Sequence, residues 1–295
     1  MTSTGGDPTR ETGTVLDRIV AQRREQLALD RAAVPRAALE ARIATLPAAI
    51  DFGSRLREGA GGSPAGARLR LVAEIKRASP SKGVFDANLD AGAQARRYAE
   101  AGAAAVSVLT EPAFFQGSLA DLEAARSAFG DDPGRPALLR KDFLFDAYQV
   151  IEARAAGADA LLLITMMLQP SALAELLALA HATGLEALVE VHDESELRAA
   201  LDAGARVLGV NNRDLRTFAE DLATFERLAP LVPAGVTLVA ESAIKTAADA
   251  RRMAEAGAHA VLVGEALVLS GDIRAKAHEL MLLSMATEAG SGGTR

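Results

Sequence analysis

Short apolar runs alternate with longer amphipathic segments along most of this chain, and this alternation constrains the fold more than any other feature. Continuous apolar runs are typical of strands buried on both faces, as in a parallel sheet covered by helices. Eight such strand–helix units fit a (β/α)8 barrel, an α/β fold of about 250 residues, here with an N-terminal helical extension. The predicted strands lie at 69–75, 105–109, 137–139, 160–164, 187–191, 207–210, 237–240 and 260–263, and the predicted helices at 89–101, 118–129, 147–156, 171–183, 195–203, 222–231, 246–256 and from about 273.

The tripeptide Ala-Gly-Ala supports this division of the chain. It occurs at 101–103, 156–158, 203–205 and 256–258, each time directly before a predicted strand. At the end of a helix a glycine often takes a positive φ and so closes the last turn. Because all four copies share this position, chance recurrence in an alanine-rich chain is a poor explanation. We therefore expect each of these glycines to end a helix.

Charged and polar residues gather after the predicted strands and not before them. In a barrel the carboxyl ends of the strands meet at one mouth, where active sites lie. Glu74 and Lys76 are two residues apart in the stretch LVAEIKRASPSKG, so both side chains face the same way. Only five lysines occur among the 32 Lys and Arg residues, and lysine, unlike arginine, can exchange a proton when its site tunes its pKa. Four of these lysines stand at or just after predicted strand ends, although chance placement is left open for Lys82 and Lys245: Lys76, Lys82, Lys141 and Lys245.

Composition excludes several classes of function. The chain has 295 residues, no cysteine and a net charge of −7, so we expect neither disulfides nor a nucleic-acid partner. Its four histidines lack the spacing of metal ligands, and we expect no metal and no cofactor. No apolar run has the length of a membrane span, and the first residues lack the apolar region of a signal peptide. The expected location is therefore the cytoplasm, without a membrane partner.

The domain organisation follows from these patterns. We expect a single globular domain with a disordered N-terminus at 1–13, a helical extension and linker at 14–66, the barrel at 67–286 and a flexible tail at 287–295. Thr14 begins a first helix, a second spans about 36–45 and a short third spans about 51–57. These helices either brace the barrel or cover its mouth and form part of a pocket, and both roles are compatible with the sequence.

Six motifs in chain order carry a resemblance to a known family: EIKRASPSKG, LRKDF, LVEVH, GVNNRDL, AES and VGEAL. Together they closely resemble indole-3-glycerol phosphate synthase of tryptophan biosynthesis, from about Val15 to the last helix. The resemblance implies a lyase that closes the indole ring with decarboxylation and dehydration. The implied substrate is 1-(2-carboxyphenylamino)-1-deoxyribulose 5-phosphate, a phosphorylated small molecule. We expect a monomer, with an oligomer left open.

The same resemblance implies five catalytic residues. Lys141 matches the general acid that protonates the ketone oxygen, and Lys76 matches a second catalytic lysine that holds the substrate carboxylate. Glu190 matches a carboxylate that stabilises a cationic ring intermediate or removes a proton. Glu74 matches the base for dehydration, with Asn211 as its hydrogen-bonding partner.

Substrate binding is assigned by resemblance as well. Ser79 and Arg213 match residues that bind the anionic substrate. The residues after strands seven and eight match the phosphate cradle of such barrels, built from backbone N–H groups and a helix N-terminus. They are Glu241, Ser242, Ala243, Gly264 and Glu265. The family generally has glycine where this chain has Ala243, and alanine resists a positive φ and crowds a nearby ligand.

Other readings of the same residues stay open at this level. Lys141 could form a structural salt bridge to Asp142 or to a neighbouring Glu, Arg213 could pair with Asp214, and Glu74 could serve only to keep Lys76 charged. A non-catalytic phosphate-binding barrel would keep the Gly264 cradle but would not need Lys141 and Glu190. Another phosphosugar lyase or aldolase of the same fold would use a strand lysine as a Schiff base.

Overall fold

The computed structural model describes residues 6–60, 68–80 and 82–283. Most of the predicted linker and the whole of the predicted tail at 287–295 lie outside the described residues. Within the described part, the order of the elements is three helices, then alternating strands and helices, as the sequence predicts.

Eight parallel strands form a closed barrel, which confirms the predicted (β/α)8 fold. Each strand pairs with its neighbours in sequence, and the first pairs with the last. The register sets Asn211 opposite Glu241 and Lys141 opposite Leu109, so these residues reach the same end of the barrel. The strands are β1 (Arg70–Ile75), β2 (Ala105–Leu109), β3 (Ala137–Lys141), β4 (Ala160–Ile164), β5 (Glu186–Val191), β6 (Val207–Asn211), β7 (Thr237–Glu241) and β8 (Ala260–Val263).

Helices cover the outside of the barrel and end as the repeat predicts. The four Ala-Gly-Ala glycines have φ of 86°, 90°, 90° and 101°, and each follows the last turn of a helix. Positive φ is accessible to glycine without the cost that a Cβ brings. The helices are α4 (Ala91–Glu100), α5 (Leu119–Phe129), α6 (Ala147–Ala155), α7 (Pro170–Ala182), α8 (Glu194–Asp202), α9 (Ala223–Leu228), α10 (Ala247–Glu255), α11 (Glu265–Val268) and α12 (Ile273–Leu280).

The N-terminal extension contributes α1 (Val15–Ala33), α2 (Arg36–Ile43) and α3 (Phe52–Arg57), and it takes both of the roles left open. Helix α3 contacts β1, β2 and β7 and buries Phe52 and Leu56 completely, so it braces the barrel. Helix α1 begins at Thr14, whose side chain accepts the N–H of Leu16, and it lies over the opposite end, where the site is found. One extension therefore stabilises the barrel and forms part of its pocket.

Residues 8–10, within the stretch predicted to be disordered, form backbone contacts with the barrel. Thr9 forms an antiparallel bridge with Leu168, and the N–H of Arg10 donates to the carbonyl of Met167 at 2.9 Å. The carbonyl of Pro8 accepts the N–H of Gln169, also at 2.9 Å. The partners of these residues lie in the loop after β4. The composition of the N-terminal stretch, which is polar and contains glycine, gives no sign of such contacts.

Among the residues that the structure describes, no helix combines the length and the apolar character needed to cross a membrane.

Candidate active site

One pocket opens at the carboxyl ends of the strands, as predicted. It encloses about 1150 Å³ including its open mouth, which is room for a small phosphorylated aromatic molecule. Twelve predicted site residues were named from the sequence, and the pocket wall includes all of them. They are Glu74, Lys76, Ser79, Lys141, Glu190, Asn211, Arg213, Glu241, Ser242, Ala243, Gly264 and Glu265.

Lys141 ends β3, and its ammonium group lies between two carboxylates. Nζ is 2.9 Å from Oε2 of Glu241 and 3.6 Å from Oε2 of Glu190. Burial lowers the pKa of Lys141, but Glu241, Glu190 and Glu74 outweigh burial and raise that pKa above its ordinary value. Lys141 is therefore cationic at neutral pH. Of the two ion-pair alternatives, the one with Asp142 is wrong, because two arginines bind that carboxylate, whereas pairing with a glutamate does occur.

Glu241 ends β7 and lies on the floor of the pocket, almost fully buried. Its Oε2 accepts from Lys141, while Oε1 is buried and has no hydrogen-bond partner among the described residues. A Cβ at Gly209 would lie 2.0 Å from Oε1, so only glycine leaves room for this carboxylate. Burial raises the pKa of Glu241, Lys141 partly opposes this rise, and the nearby Glu190 adds to it. Glu241 thus faces Lys141, at the centre of the barrel.

Glu190, on β5, is a second buried carboxylate and is the partner of Asn211. Nδ2 of Asn211 donates to Oε1 of Glu190 at 3.0 Å, so the predicted hydrogen bond between Asn211 and Glu74 is wrong. Asn211 ends β6, which lies next to β5, whereas Glu74 is on β1, so the order of strands in the barrel favours Glu190 as the partner. Burial raises the pKa of Glu190, but Lys141, His192 and Asn211 reverse this and hold the pKa below its usual range. Glu190 is therefore ionised.

Glu74 and Lys76 face the same way, as their spacing predicts. Nζ of Lys76 donates to Oε1 of Glu74 at 2.5 Å, and it lies 5.6 Å from the ring centre of Phe85. Burial raises the pKa of Glu74, but the cations Lys76, Lys141 and Arg213 lower it below the ordinary value. Glu74 is therefore a buried, ionised carboxylate that is hydrogen-bonded to the ammonium group of Lys76.

Arg213 lies at the rim of the pocket and does not pair with Asp214, the partner suggested by sequence. Its Nη2 lies 2.5 Å from Oε1 of Glu220, whose Oε2 accepts from Lys245 at 2.6 Å. Its backbone N–H donates to Oδ1 of Asn211 at 3.0 Å. This rim pair is partly exposed, so an incoming anion can compete with Glu220 for the guanidinium group.

The predicted phosphate cradle has an unusual backbone at its first loop. Ser242 and Ala243 both have positive φ, 63° and 64°, and the β8 side continues through Gly264 into α11. A Cβ at Gly264 would lie 2.5 Å from Oε1 of Glu74, so this glycine lets the backbone approach the site. Oε1 of Glu265 lies 3.5 Å from Nζ of Lys82, so this carboxylate forms an ion pair.

Sequence reasoning did not identify the apolar wall of the pocket. Leu16 and Ile19 from α1 face Phe115 and Phe143, which come from the loops after β2 and β3. The two phenylalanine rings lie 5.9 Å apart at a tilt of 34°. The apolar periodicity of α1 was recognisable, but its docking over the mouth was not. This apolar wall can pack against an aromatic ring of a ligand, next to the charged residues of the floor.

The arrangement can perform acid–base chemistry on an anionic substrate. Lys141 supplies a proton or a positive charge from the floor, and Glu190 and Glu74 supply fixed negative charge on either side. The rim and the cradle present cations and backbone N–H groups where an anion would enter. Low exposure strengthens each of these interactions.

Known proteins resemble this chain over most of its length. The family described as "Indole-3-glycerol phosphate synthase" matches residues 16–280. A protein of that name from Roseiflexus sp. is 50% identical over 90% of this chain and 98% of its own length. Another from Dehalococcoides mccartyi is 47% identical over 90% of this chain and 100% of its own length. The structure of 3-hexulose-6-phosphate synthase from Salmonella typhimurium has a TM-score of 0.58 at 14% identity, over 72% of this chain and 97% of that chain, a likeness of fold alone.

Proposed function

The chain belongs to the indole-3-glycerol phosphate synthase family, and we propose how its own residues divide the work of that reaction. It is a carbon–carbon lyase of tryptophan biosynthesis that acts on a phosphorylated small molecule. The single observation that supports our assignment best is the ammonium group of Lys141 enclosed by Glu241 and Glu190 on the pocket floor.

The reaction sets out which groups are needed. The ring carbon that bears the carboxylate bonds to the ketone carbon, and the ketone oxygen takes up a proton. Carbon dioxide then leaves and restores the aromatic ring. Finally the new hydroxyl leaves as water while a carbon next to the nitrogen loses a proton. The site must therefore supply an acid for the ketone oxygen, an acid for the hydroxyl and a base for the last proton.

Lys141 is the acid for the ketone oxygen in this proposal. A raised pKa keeps the amine protonated until the substrate arrives. The oxygen that develops during ring closure is an alkoxide, which is more basic than an amine, so transfer from Lys141 is still downhill. Glu241 accepts the hydrogen bond of Lys141 and holds its ammonium group toward the pocket.

Glu190 and Glu74 take the two anionic roles. Glu190 is held ionised and faces Lys141, so it stabilises the positive charge that spreads over the ring and nitrogen after bond formation. Glu74 removes the last proton, while Lys76, bonded to Glu74, holds the substrate carboxylate and then helps the hydroxyl to leave. The wall of Phe115 and Phe143 holds the aromatic ring between these groups.

The anionic ends of the substrate go to the rim and the cradle. Arg213 binds the carboxylate together with Ser79, exchanging its contact with Glu220 for the substrate. Backbone N–H groups around Ser242, Ala243 and Gly264 bind the phosphate.

The first experiment follows indole fluorescence after mixing the purified protein with the carboxyphenylamino-deoxyribulose phosphate. The chain has no tryptophan, so new indole emission stands above a weak tyrosine background. Lys141→Met removes the ammonium group but keeps a side chain of similar length, and it should lower turnover by about 100-fold or more while the protein stays folded. Lys276→Met is the matched control, because Lys276 lies on α12 and pairs with Glu279 outside the pocket. Normal turnover in Lys141→Met would remove Lys141 from the mechanism.

Two alternatives make different predictions for the same lysine. A Schiff-base aldolase needs a neutral amine, whereas the raised pKa of Lys141 favours the ammonium form. Borohydride should therefore trap no covalent adduct with substrate. A barrel that only binds phosphate would show binding without any indole signal. The cytoplasmic location and the monomeric state stay predictions, to be tested by fractionation and by sedimentation.

A further inference from the structure

His192 is a buried histidine that the proposed mechanism does not use. It follows the last residue of β5, two positions after Glu190, and its side chain is 9% exposed. Nδ1 lies 3.0 Å from Oε2 of Glu196, and the same carboxylate oxygen accepts the backbone N–H of His192 at 2.9 Å. Glu196 is held in turn at the start of α8, where its N–H donates to Asp193. The imidazole ring is thus fixed from the side away from the pocket.

The other ring nitrogen faces the site. Nε2 lies 3.2 Å from Oε1 of Glu190, close enough for an ion pair, and the atom is buried with no hydrogen-bond partner among the described residues. Ionised carboxylates only accept hydrogen bonds. In a neutral imidazole one ring nitrogen carries no proton, and that nitrogen would face a carboxylate to which it cannot donate. Only the doubly protonated ring suits both Glu190 and Glu196.

These contacts divide the carboxylate of Glu190 into two halves. Oε1 receives Nδ2 of Asn211 and the charge of His192, whereas Oε2 faces Lys141 at 3.6 Å. Rotation of the carboxylate would break both contacts at Oε1. Oε2 is consequently kept toward the pocket, where a substrate would lie.

We propose that His192 is a positioning residue, a cationic bridge from Glu196 to Glu190 that keeps Glu190 ionised and keeps Oε2 turned toward the reacting atoms. The need for such a cation follows from the local charges. Glu74 has Lys76 as its own partner, whereas Glu190 shares the ammonium group of Lys141 with Glu241, and two carboxylates on one cation make ionisation of each other less favourable. A cation behind Glu190 favours its ionised form without entering the pocket. This inference rests on the proposed function of Glu190.

The titration of the ring supports the geometry. Burial lowers the pKa of His192, but Glu190 and Glu196 overcome this and raise the pKa to about 10. The charged groups around the pair are Glu196 from α8, Lys141 from β3, Glu241 from β7 and Glu74 from β1.

The first test measures His192 directly and needs no activity. The chain has four histidines, so a proton NMR titration of the whole protein gives few imidazole signals, and the one missing from His192→Gln is assigned. We expect this signal to keep its protonated position up to at least about pH 8. Titration of that signal near the ordinary value of about 6.5 would overturn the proposal.

The second test measures turnover. His192→Gln keeps a polar side chain without charge, and we expect kcat to fall about 10- to 100-fold with little change in KM. The acidic limb of the kcat profile should move to higher pH, because Glu190 then ionises less readily. His192→Lys should recover part of the loss, since it returns a cation. An unchanged pH profile in His192→Gln, or equal loss in both variants, would reduce His192 to a packing role.

The outcomes separate this inference from the proposed function. If the unaltered protein shows no indole signal but His192 stays protonated at pH 8, the proposed function fails and the cationic bridge stands. If the protein is active and His192→Gln matches it at every pH, the bridge fails alone. Binding of inorganic phosphate by His192→Gln, measured by calorimetry, shows that the variant is folded.

Discussion

Arg23 on α1 is paired with Asp142, the residue directly after Lys141. Nη2 of Arg23 lies 3.1 Å from Oδ2 of Asp142, and both side chains are almost fully buried. The same oxygen accepts from Thr110 at 2.7 Å and lies 3.1 Å from Arg140. The N-terminal extension is therefore joined by a buried ion pair to the strand end that holds Lys141.

Arg23→Met should loosen α1 without removing any group of the pocket. Loss of one member of a buried pair typically costs about 3 kcal/mol, here moderated because Arg140 and Thr110 still bind Asp142. Since Leu16 on the same helix lines the pocket, KM should rise more than kcat falls. Urea unfolding and steady-state fluorescence assays measure the two effects.

The matched control for the buried pair of Arg23 and Asp142 is Arg36→Met. Arg36 pairs with Glu40 on α2, and both side chains are about half exposed, so its loss should change stability by less than about 1 kcal/mol. Equal effects of the two substitutions would mean that burial of the Arg23 pair has no special role.

Ala243→Gly should stabilise the protein, although it removes a methyl group. Ala243 has a φ of 64°, a region that costs a residue with a Cβ about 1 kcal/mol or more and costs glycine little. After the greater flexibility of the unfolded chain is counted, we expect a gain of about 0.5 kcal/mol in unfolding free energy. Affinity for inorganic phosphate should rise too, because the loop is then free to fit the anion.

Ala266→Gly provides the contrast for the cradle. Ala266 also lines the pocket but lies within α11, where glycine should cost about 0.5 to 1 kcal/mol. A loss of stability in both variants would show that the loop at Ala243 is not strained.

The sequence predicted well what is set by local periodicity. The two-residue spacing of Glu74 and Lys76 placed both on one face, and the four lysines after strand ends do lie around the mouth: Lys76, Lys141 and Lys245 line the pocket, and Lys82 contacts Glu265 at its edge. Continuous apolar runs also gave all eight strands. These features depend on neighbours along the chain, so a pattern of residue types is sufficient to find them.

Side-chain partners at the mouth were harder to predict than the strands. Asn211 binds Glu190 on the adjacent β5 and not Glu74 on β1, a pairing that strand order favours but that the family resemblance did not suggest. Arg213 pairs with Glu220, seven residues later in the loop after β6, and not with its neighbour Asp214. The docking of α1 over the mouth likewise depends on the buried pair of Arg23 and Asp142, whose members are 119 residues apart.

Removal of metal ions should leave turnover unchanged. In the proposed mechanism Lys141 supplies the positive charge that the ketone oxygen needs, and Lys76 and Arg213 bind the substrate carboxylate, so no step requires a metal. Dialysis against a chelator followed by the fluorescence assay tests this. A loss of activity that added Mg²⁺ or Zn²⁺ restored would contradict it.

Glu241→Gln should move the basic limb of the pH profile. Glu241 is the largest source of the raised pKa of Lys141, so a neutral amide in its place lowers that pKa. Activity depends on the protonated amine, and it should therefore be lost at a lower pH than in the unaltered protein, by about one pH unit or more. The amide fits the same space, so we expect the fold to persist while kcat at neutral pH falls roughly 10-fold. Glu226→Gln is the control, because Glu226 pairs with Arg252 on the outer surface and should leave the profile in place. A basic limb that stays fixed in Glu241→Gln would mean that this limb reports a group other than Lys141, with Lys76 the next to be tested.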